Sequence, residues 1–183
     1  RGAIIARAMY YDMLPDADPD QVDQANYLAA VFQKQEPRIF ERIVALTYLV
    51  AGGEFLWIPR LYAILFWMIG GGALFLLARR MSGIDGALVA VAYFLFLPYG
   101  VTRSRLFLPD VLMMPFIILG LLTAHIWNQQ RTWKWAILAG ILCGIAILAK
   151  VFAVFFLFIP IALLVLSSRG FVASIRDRQT WAF

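Results

Sequence analysis

The stretch WAILAGILCGIAILAKVFAVFFLFIPIALLVL, residues 135–166, decides the fold of this chain because only one charged residue, Lys150, interrupts its apolar run. A single helix of this length would measure about 48 Å, whereas the hydrocarbon core of a bilayer is about 30 Å thick. We therefore predict two membrane helices that meet at Lys150, within an all-α integral membrane protein.

The composition of the whole chain agrees with a location in the membrane. Hydrophobic residues make up 63% of the 183 residues and charged residues only 15%, whereas an average soluble domain carries about 25% charged residues. The apolar runs have helical lengths, and none alternates as the strands of a membrane barrel do. The formal charge of +5 is explained by basic cytoplasmic loops, so we infer no nucleic-acid partner.

The other apolar segments complete a membrane domain of about five transmembrane helices, which we place at residues 38–167. Three further spans are predicted at residues 58–78, 84–97 and 111–127. Residues 38–51 are apolar but too short to span, and they predict an interfacial helix that stops at the following glycine pair. A basic cytoplasmic tail is predicted at residues 168–183.

Residues 1–37 are the only long polar region, and we predict an outer-face loop that contains one amphipathic helix. The helix should run from about Asp20 to Gln33, with Asp20 as its N-cap or Pro19 as its first residue. Its apolar residues share one broad face, so the helix is expected to lie on the membrane surface.

Basic residues in the polar breaks between the spans predict the orientation of the chain. Alternate breaks must lie on alternate sides of the membrane. The first, third and fifth breaks contain Arg79, Arg80, Arg131, Lys134, Arg169, Arg176 and Arg178. The positive-inside rule makes that side cytoplasmic. The second break, RSRLFLPD at residues 103–110, and the fourth break, at Lys150, are then predicted on the outer side with the N-terminal aspartates.

Positive charges on the outer side oppose the usual bias and therefore need an explanation. One explanation is contact with lipid headgroups or ion pairing with Asp110. The other is a site for an anion, because the planar fork of an arginine suits phosphate and Lys150 adds a point charge. Carboxylates facing such a site would allow transfer chemistry with a general base.

Three motifs carry a resemblance to a known family. They are PRIFE at residues 37–41 followed by Arg60, SRLFLPD at residues 104–110, and GILCGIAILAK at residues 140–150. In this order they resemble the GT-C membrane glycosyltransferases, specifically the group of protein O-mannosyltransferases and aminoarabinose transferases. The chain would correspond to the N-terminal part of the membrane domain of a longer protein.

The resemblance implies an activity. The enzyme would transfer a sugar from a polyprenyl-phosphate donor to a hydroxyl of a protein or lipid acceptor, with inversion, on the periplasmic face of a bacterial inner membrane. No cofactor is assigned with certainty, and a divalent metal is not supported by the residues.

The resemblance also implies roles for individual residues. A catalytic aspartate is expected in the first outer loop, where DQANY matches the family pattern. The alternatives for this base are Asp23, Asp20 and Asp18. The residues expected to bind the lipid phosphate are Arg103, Arg105 and Lys150. The supporting residues are Glu41, Arg60, Asp110 and Tyr27.

A second interpretation is a non-catalytic membrane subunit that packs against a larger complex. Gln24 and Leu108 stand where the family pattern has an acid and an amide. Small residues would permit close helix contact with a partner, or equally within this chain: Gly70, Gly71, Gly72, Gly140, Gly144 and Ala146. A third interpretation is half of a transporter, with Lys150 as a substrate-binding charge inside the membrane.

Overall fold

A computed structural model of the chain describes residues 2–32, 37–170 and 179–180. Throughout these ranges the regular elements are helices. They are α1 (Gly2–Met13), α2 (Pro19–Ala30), α3 (Ile39–Ala51), α4 (Trp57–Phe96), α5 (Pro98–Ser104), α6 (Pro109–Gln130), α7 (Trp133–Ala149) and α8 (Ala153–Arg169). Helices α4 and α6 are long and apolar enough to cross a bilayer, and α7 and α8 are shorter apolar helices. The predicted all-α membrane fold is confirmed.

Helix α4 consists of two arms that fold back on each other at Gly83. The backbone of Gly83 has φ 79° and ψ −170°, which is not helical. The ring of Trp67 on the first arm stacks on Phe94 of the second, with centroids 4.5 Å apart. The side chain of Leu95 also lies close to Gly71. The arms therefore correspond to the two separate spans predicted at residues 58–78 and 84–97.

We expect Gly83→Ala to lower the free energy of unfolding by about 1–3 kcal/mol, because an alanine there must adopt φ 79° with ψ −170°, a region that is essentially restricted to glycine. No atom lies within 4 Å of a Cβ at this position, so the cost is conformational and not steric. The matched control is Gly72→Ala, in a helical position that is equally open, where alanine favours the helix. Thermal unfolding in detergent measures the stability of both variants. Equal melting temperatures for Gly83→Ala and Gly72→Ala would contradict the prediction.

The junction at Lys150 forms as predicted. Helix α7 ends at Ala149, and Lys150 has an extended backbone with φ −161° and ψ 123°. Helix α8 then begins at Ala153. One long apolar run thus becomes two helices, each short enough for a bilayer.

Helix α6 is the central helix of the membrane part and packs on α4, α7 and α8. Small residues allow the close approach: Gly120 faces the Sγ atom of Cys143 on α7, and Gly70 of α4 faces Pro115. The main buried cluster includes Ala63, Trp67, Val111, Leu112, Ile117, Cys143, Ala146 and Leu157. In contrast, large apolar side chains on α4 and α8 point outward, as expected for surfaces that face lipid.

The N-terminal region contains two helices where one was predicted. Helix α1 was missed because its buried residues pack against both α2 and α3 and do not form a single apolar stripe. In α2, Asp18 is the N-cap and accepts a hydrogen bond from the backbone N–H of Asp20 at 3.2 Å, with Pro19 in the first turn. The prediction of Asp20 as N-cap was wrong, and Pro19 as first residue is confirmed.

Polar contacts show which breaks share an end of the bundle. At one end, Arg80 donates to Gln129 at 3.3 Å, and Arg131 donates to Ser168 at 3.2 Å. At the other end, Lys150 contacts Asp110. The alternation of the breaks is thereby confirmed for the part of the chain that the structure describes. The assignment of the first end to the cytoplasm stays a prediction.

Candidate functional site

An ion pair joins the two outer breaks. The Nζ atom of Lys150 donates to Oδ1 of Asp110 at 2.7 Å. The side chain of Lys150 is 28% exposed and that of Asp110 is 25% exposed. The pair is therefore mostly buried, but part of it remains accessible from outside the protein. Asp110 lies in the first turn of α6, where the helix dipole stabilises a negative charge. The predicted ion pairing of an outer positive charge with Asp110 is therefore present, and its partner is Lys150.

Phe107 holds the loop between α5 and α6 against the N-terminal helices. Its ring packs on Phe40 at the start of α3, with centroids 4.6 Å apart. Phe107 also packs against Gly2, the first residue of α1. The two residues are so close that a Cβ added to Gly2 would lie 2.6 Å from Cδ1 of Phe107 and 2.8 Å from its carbonyl oxygen. The loop is thus wedged between two helices, which fixes the start of α6 and hence Asp110.

Arg105 lies on this same loop, two residues before Phe107. Its side chain is exposed, and its backbone N–H bonds to the carbonyl of Thr102 at 3.4 Å. The side chain of Arg103 lies outside the described part, so its proposed role stays a prediction. Arg105 is thus an exposed cation five residues before Asp110 in the sequence.

The two supporting residues Glu41 and Arg60 occupy different environments. Glu41 is only 7% exposed in the first turn of α3, directly after Phe40, which contacts the loop. Arg60 is exposed on the first turn of α4. Glu41 is therefore buried in the helical packing, whereas Arg60 is not.

The three aspartates proposed as the base lie at the start of α2 or within it. Asp18 caps α2, while Asp20 and Asp23 are exposed on that helix, as is Tyr27. Helix α2 packs on α1, and no contact found among the described residues joins these carboxylates to Lys150. Within the same ranges, no three His, Cys, Asp or Glu side chains come together as a metal site would require.

A further polar cluster, which sequence reasoning missed, connects α1 to the turn after α3. The Nε atom of Arg7 lies 3.0 Å from Oε2 of Glu54, and the hydroxyl of Tyr11 donates to the same oxygen at 3.5 Å. Burial, together with the charge of Glu54, raises the pKa of Tyr48 to about 12. The only sign of this cluster in the sequence was Glu54, an isolated acid that directly follows a glycine pair. Its partners come from α1, which was not predicted.

The sequence of residues 35–182 matches the profile of the dolichyl-phosphate-mannose-protein mannosyltransferase family. The matched segment is more than half of the chain and contains Arg105, Asp110 and Lys150. It begins after α2, so it does not include the three aspartates. No curated protein and no solved structure gives a significant match.

Proposed function

Since the chain belongs to the dolichyl-phosphate-mannose-protein mannosyltransferase family of GT-C-type glycosyltransferases, we propose that it moves a sugar from a polyprenyl-phosphate donor to a hydroxyl acceptor. The acceptor hydroxyl would belong to a protein or a lipid, and the reaction would take place at the outer face of the membrane. We propose that the protein resides in the bacterial inner membrane.

The observation that supports this proposal best is the Lys150–Asp110 pair, with the exposed Arg105 five residues before Asp110 in the sequence. The pair lies where α6 and α8 begin, at one end of the apolar helices, and this is where the headgroup of a lipid would lie while its chain stays among them. Asp110 fixes the position of the ammonium group, and Lys150 remains 28% exposed, so a phosphate can approach it. Arg105 adds a planar donor suited to phosphate oxygens.

The proposed step is an inverting displacement. The acceptor oxygen forms a bond to C1 of the sugar while the bond from C1 to the phosphate oxygen breaks, and the electron pair leaves with the polyprenyl phosphate. Lys150 and Arg105 would stabilise the charge that develops on that phosphate. The acceptor proton would pass to a carboxylate. We retain Asp23 as the first candidate for this base and Asp20 as the second. Asp18 comes last because its side-chain oxygen already caps α2.

Transfer of radiolabelled mannose from polyprenyl-phosphate mannose by the full-length protein in liposomes tests the proposal. We expect Asp23→Asn to lower turnover by about 10²–10⁴-fold through loss of the base. We expect Arg105→Ala to lower it by about 10–100-fold, with part of the activity kept by Arg105→Lys. Arg79→Ala, at the opposite end of the bundle, is the matched control. Wild-type turnover in both Asp23→Asn and Arg105→Ala would refute the assignment.

One observation favours the alternative of a non-catalytic subunit. Gly70 and Gly71 pack within the chain. In contrast, a Cβ added at Gly72 or Gly144 would meet no atom of the described residues within 4 Å, so these two glycines face away from the described helices. Outward small residues on α4 and α7 would allow a partner helix to approach closely. Purification of the chain in a fixed ratio with a membrane complex, without mannose transfer, would support this alternative.

A further inference from the structure

An exposed polar surface lies at the end of the bundle opposite Lys150, where the first arm of α4 meets the end of α6. The Nη1 atom of Arg80 donates to Oε1 of Gln129 at 3.3 Å. The amide nitrogen of Gln129 in turn lies 3.1 Å from Nε2 of His125, one helical turn earlier. Both sides of the Gln129 amide are therefore engaged, and the guanidinium of Arg80 is held at a defined place on α6 although its side chain is exposed.

A second cation joins this surface through the next residue of α6. The Oε1 atom of Gln130 accepts a hydrogen bond from the indole N–H of Trp135 at 2.7 Å. The ammonium group of Lys134 lies over the ring of Trp135, 6.0 Å from its centroid. Trp135 and Leu77 of α4 pack against the same buried cluster. A series of contacts thus connects the two cations, and we call its members the basic surface: Arg80, Gln129, Gln130, Lys134 and Trp135.

No acidic side chain in the part of the chain that the structure describes forms an ion pair with either cation of the basic surface. Asp85 lies at the same end, two residues after the bend of α4, and is exposed. Arg131 differs from the two cations because it is half-buried and donates to Ser168 at 3.2 Å. The basic surface therefore presents two exposed positive charges that remain available to an anion.

The surroundings of the basic surface favour a lipid as the source of that anion. Leu76 lies one turn before Arg80 on the same face of α4, and Ile137 and Ile141 lie three and seven residues after Lys134 on the same face of α7. These three apolar side chains are 49%, 51% and 54% exposed. From the two cations, all three lie toward the middle of the apolar helices. Acyl chains could therefore rest on them while a phosphate stays at the basic surface.

We propose that the basic surface binds the phosphate of an anionic phospholipid from the leaflet at this end of the bundle. The guanidinium of Arg80, held by Gln129, donates to the phosphate oxygens, and the ammonium group of Lys134 adds a point charge. Basic sites between membrane helices recognise anionic headgroups in this way. The site is separate from the Lys150–Asp110 pair, and the inference does not rest on the proposed function.

Native mass spectrometry of the full-length protein, delipidated in a nonionic detergent, tests the proposal without requiring turnover. Dioleoyl phosphatidylglycerol is titrated into the protein, and the Kd of the first bound lipid is measured. We expect Arg80→Gln to raise this Kd by about ten-fold, the usual effect of losing a charge-assisted hydrogen bond. We expect Lys134→Gln to raise it by about five-fold, the usual effect of one basic residue near an anionic lipid.

The matched control is Arg79→Gln, which removes the same charge from the adjacent exposed residue, outside the series of contacts that holds Arg80. It should raise the Kd clearly less than Arg80→Gln does. Equal effects of Arg79→Gln and Arg80→Gln would overturn the proposal, because they would show general attraction to a positive end and not a positioned group. An unchanged Kd in both Arg80→Gln and Lys134→Gln would overturn it as well.

Two further ligands separate a phospholipid from other sources of phosphate. Dioleoyl phosphatidylcholine has the same chains with a zwitterionic headgroup, and glycerophosphoglycerol has the anionic headgroup without chains. We expect both to bind more weakly than phosphatidylglycerol. Equal affinity for phosphatidylcholine would show that the negative charge is not recognised, and equal affinity for glycerophosphoglycerol would identify a free phosphate ester as the ligand. Either result would refute the proposed lipid site.

Discussion

Lys150→Met is expected to lower the rate of mannose transfer by at least about 100-fold, the usual effect of removing one group that stabilises a developing oxyanion. The change removes the ammonium group and also its ion pair with the carboxylate of Asp110, which lies beside the proposed position of the phosphate. Both effects act against a negatively charged leaving group. Lys150→Arg keeps the charge and should retain more activity. Initial rates with a radiolabelled polyprenyl-phosphate donor measure the loss.

The double variant Asp110→Asn/Lys150→Met separates a role at the phosphate from a role in neutralising Asp110. Asp110→Asn alone preserves the shape of the side chain, which makes the four proteins a double-mutant cycle. If Lys150 binds phosphate, the double variant stays slow although the negative charge of Asp110 is gone. Wild-type turnover in the double variant would contradict the prediction, because it would show that Lys150 serves only to balance the charge of Asp110.

The elements that the sequence predicted well are those whose signal is local. The break at Lys150 follows from the length of an apolar run compared with a bilayer, and the end of α3 follows from a glycine that adopts φ 73°. The alternation of polar breaks between the two ends requires only a count of spans. Each of these conclusions depends on neighbours within one segment of chain, so no knowledge of tertiary contacts was needed.

The rest of the site depends on contacts between residues far apart in the chain. Glu54 meets Arg7 across the intervening α2 and α3, and Phe107 meets Gly2 at the start of α1. Neither pairing has a signature in spacing or composition. In α2 the capping residue is Asp18, a role that the sequence pattern assigned to Asp20. The sequence identified the charges of these polar breaks, but only the tertiary packing shows that Lys150 and Asp110 meet.

Gly2→Ala is expected to lower mannose transfer by about 10–100-fold, although Gly2 need not touch either substrate. A Cβ at this position would lie 2.6 Å from Cδ1 of Phe107 and 2.8 Å from its backbone oxygen, so either α1 or the loop must move. The loop carries Arg105 and leads into Asp110, and a displacement of about 1 Å in a positioned group can cost 10²-fold in rate. The KM for the donor should rise, because the displaced groups are those proposed to bind its phosphate.

Two further variants decide whether the effect comes from this contact. Gly144→Ala also places a methyl group on a helical glycine, but where no atom lies within 4 Å, and should leave transfer unchanged. Phe107→Ala combined with Gly2→Ala removes the δ- and ε-carbons nearest to the new methyl group and should restore part of the donor affinity, while the contact with the backbone oxygen limits the recovery. Equal rates for Gly2→Ala and the wild type would show that α1 does not position the loop. A donor KM that stays as high in the double variant as in Gly2→Ala would show that the ring of Phe107 does not transmit the effect.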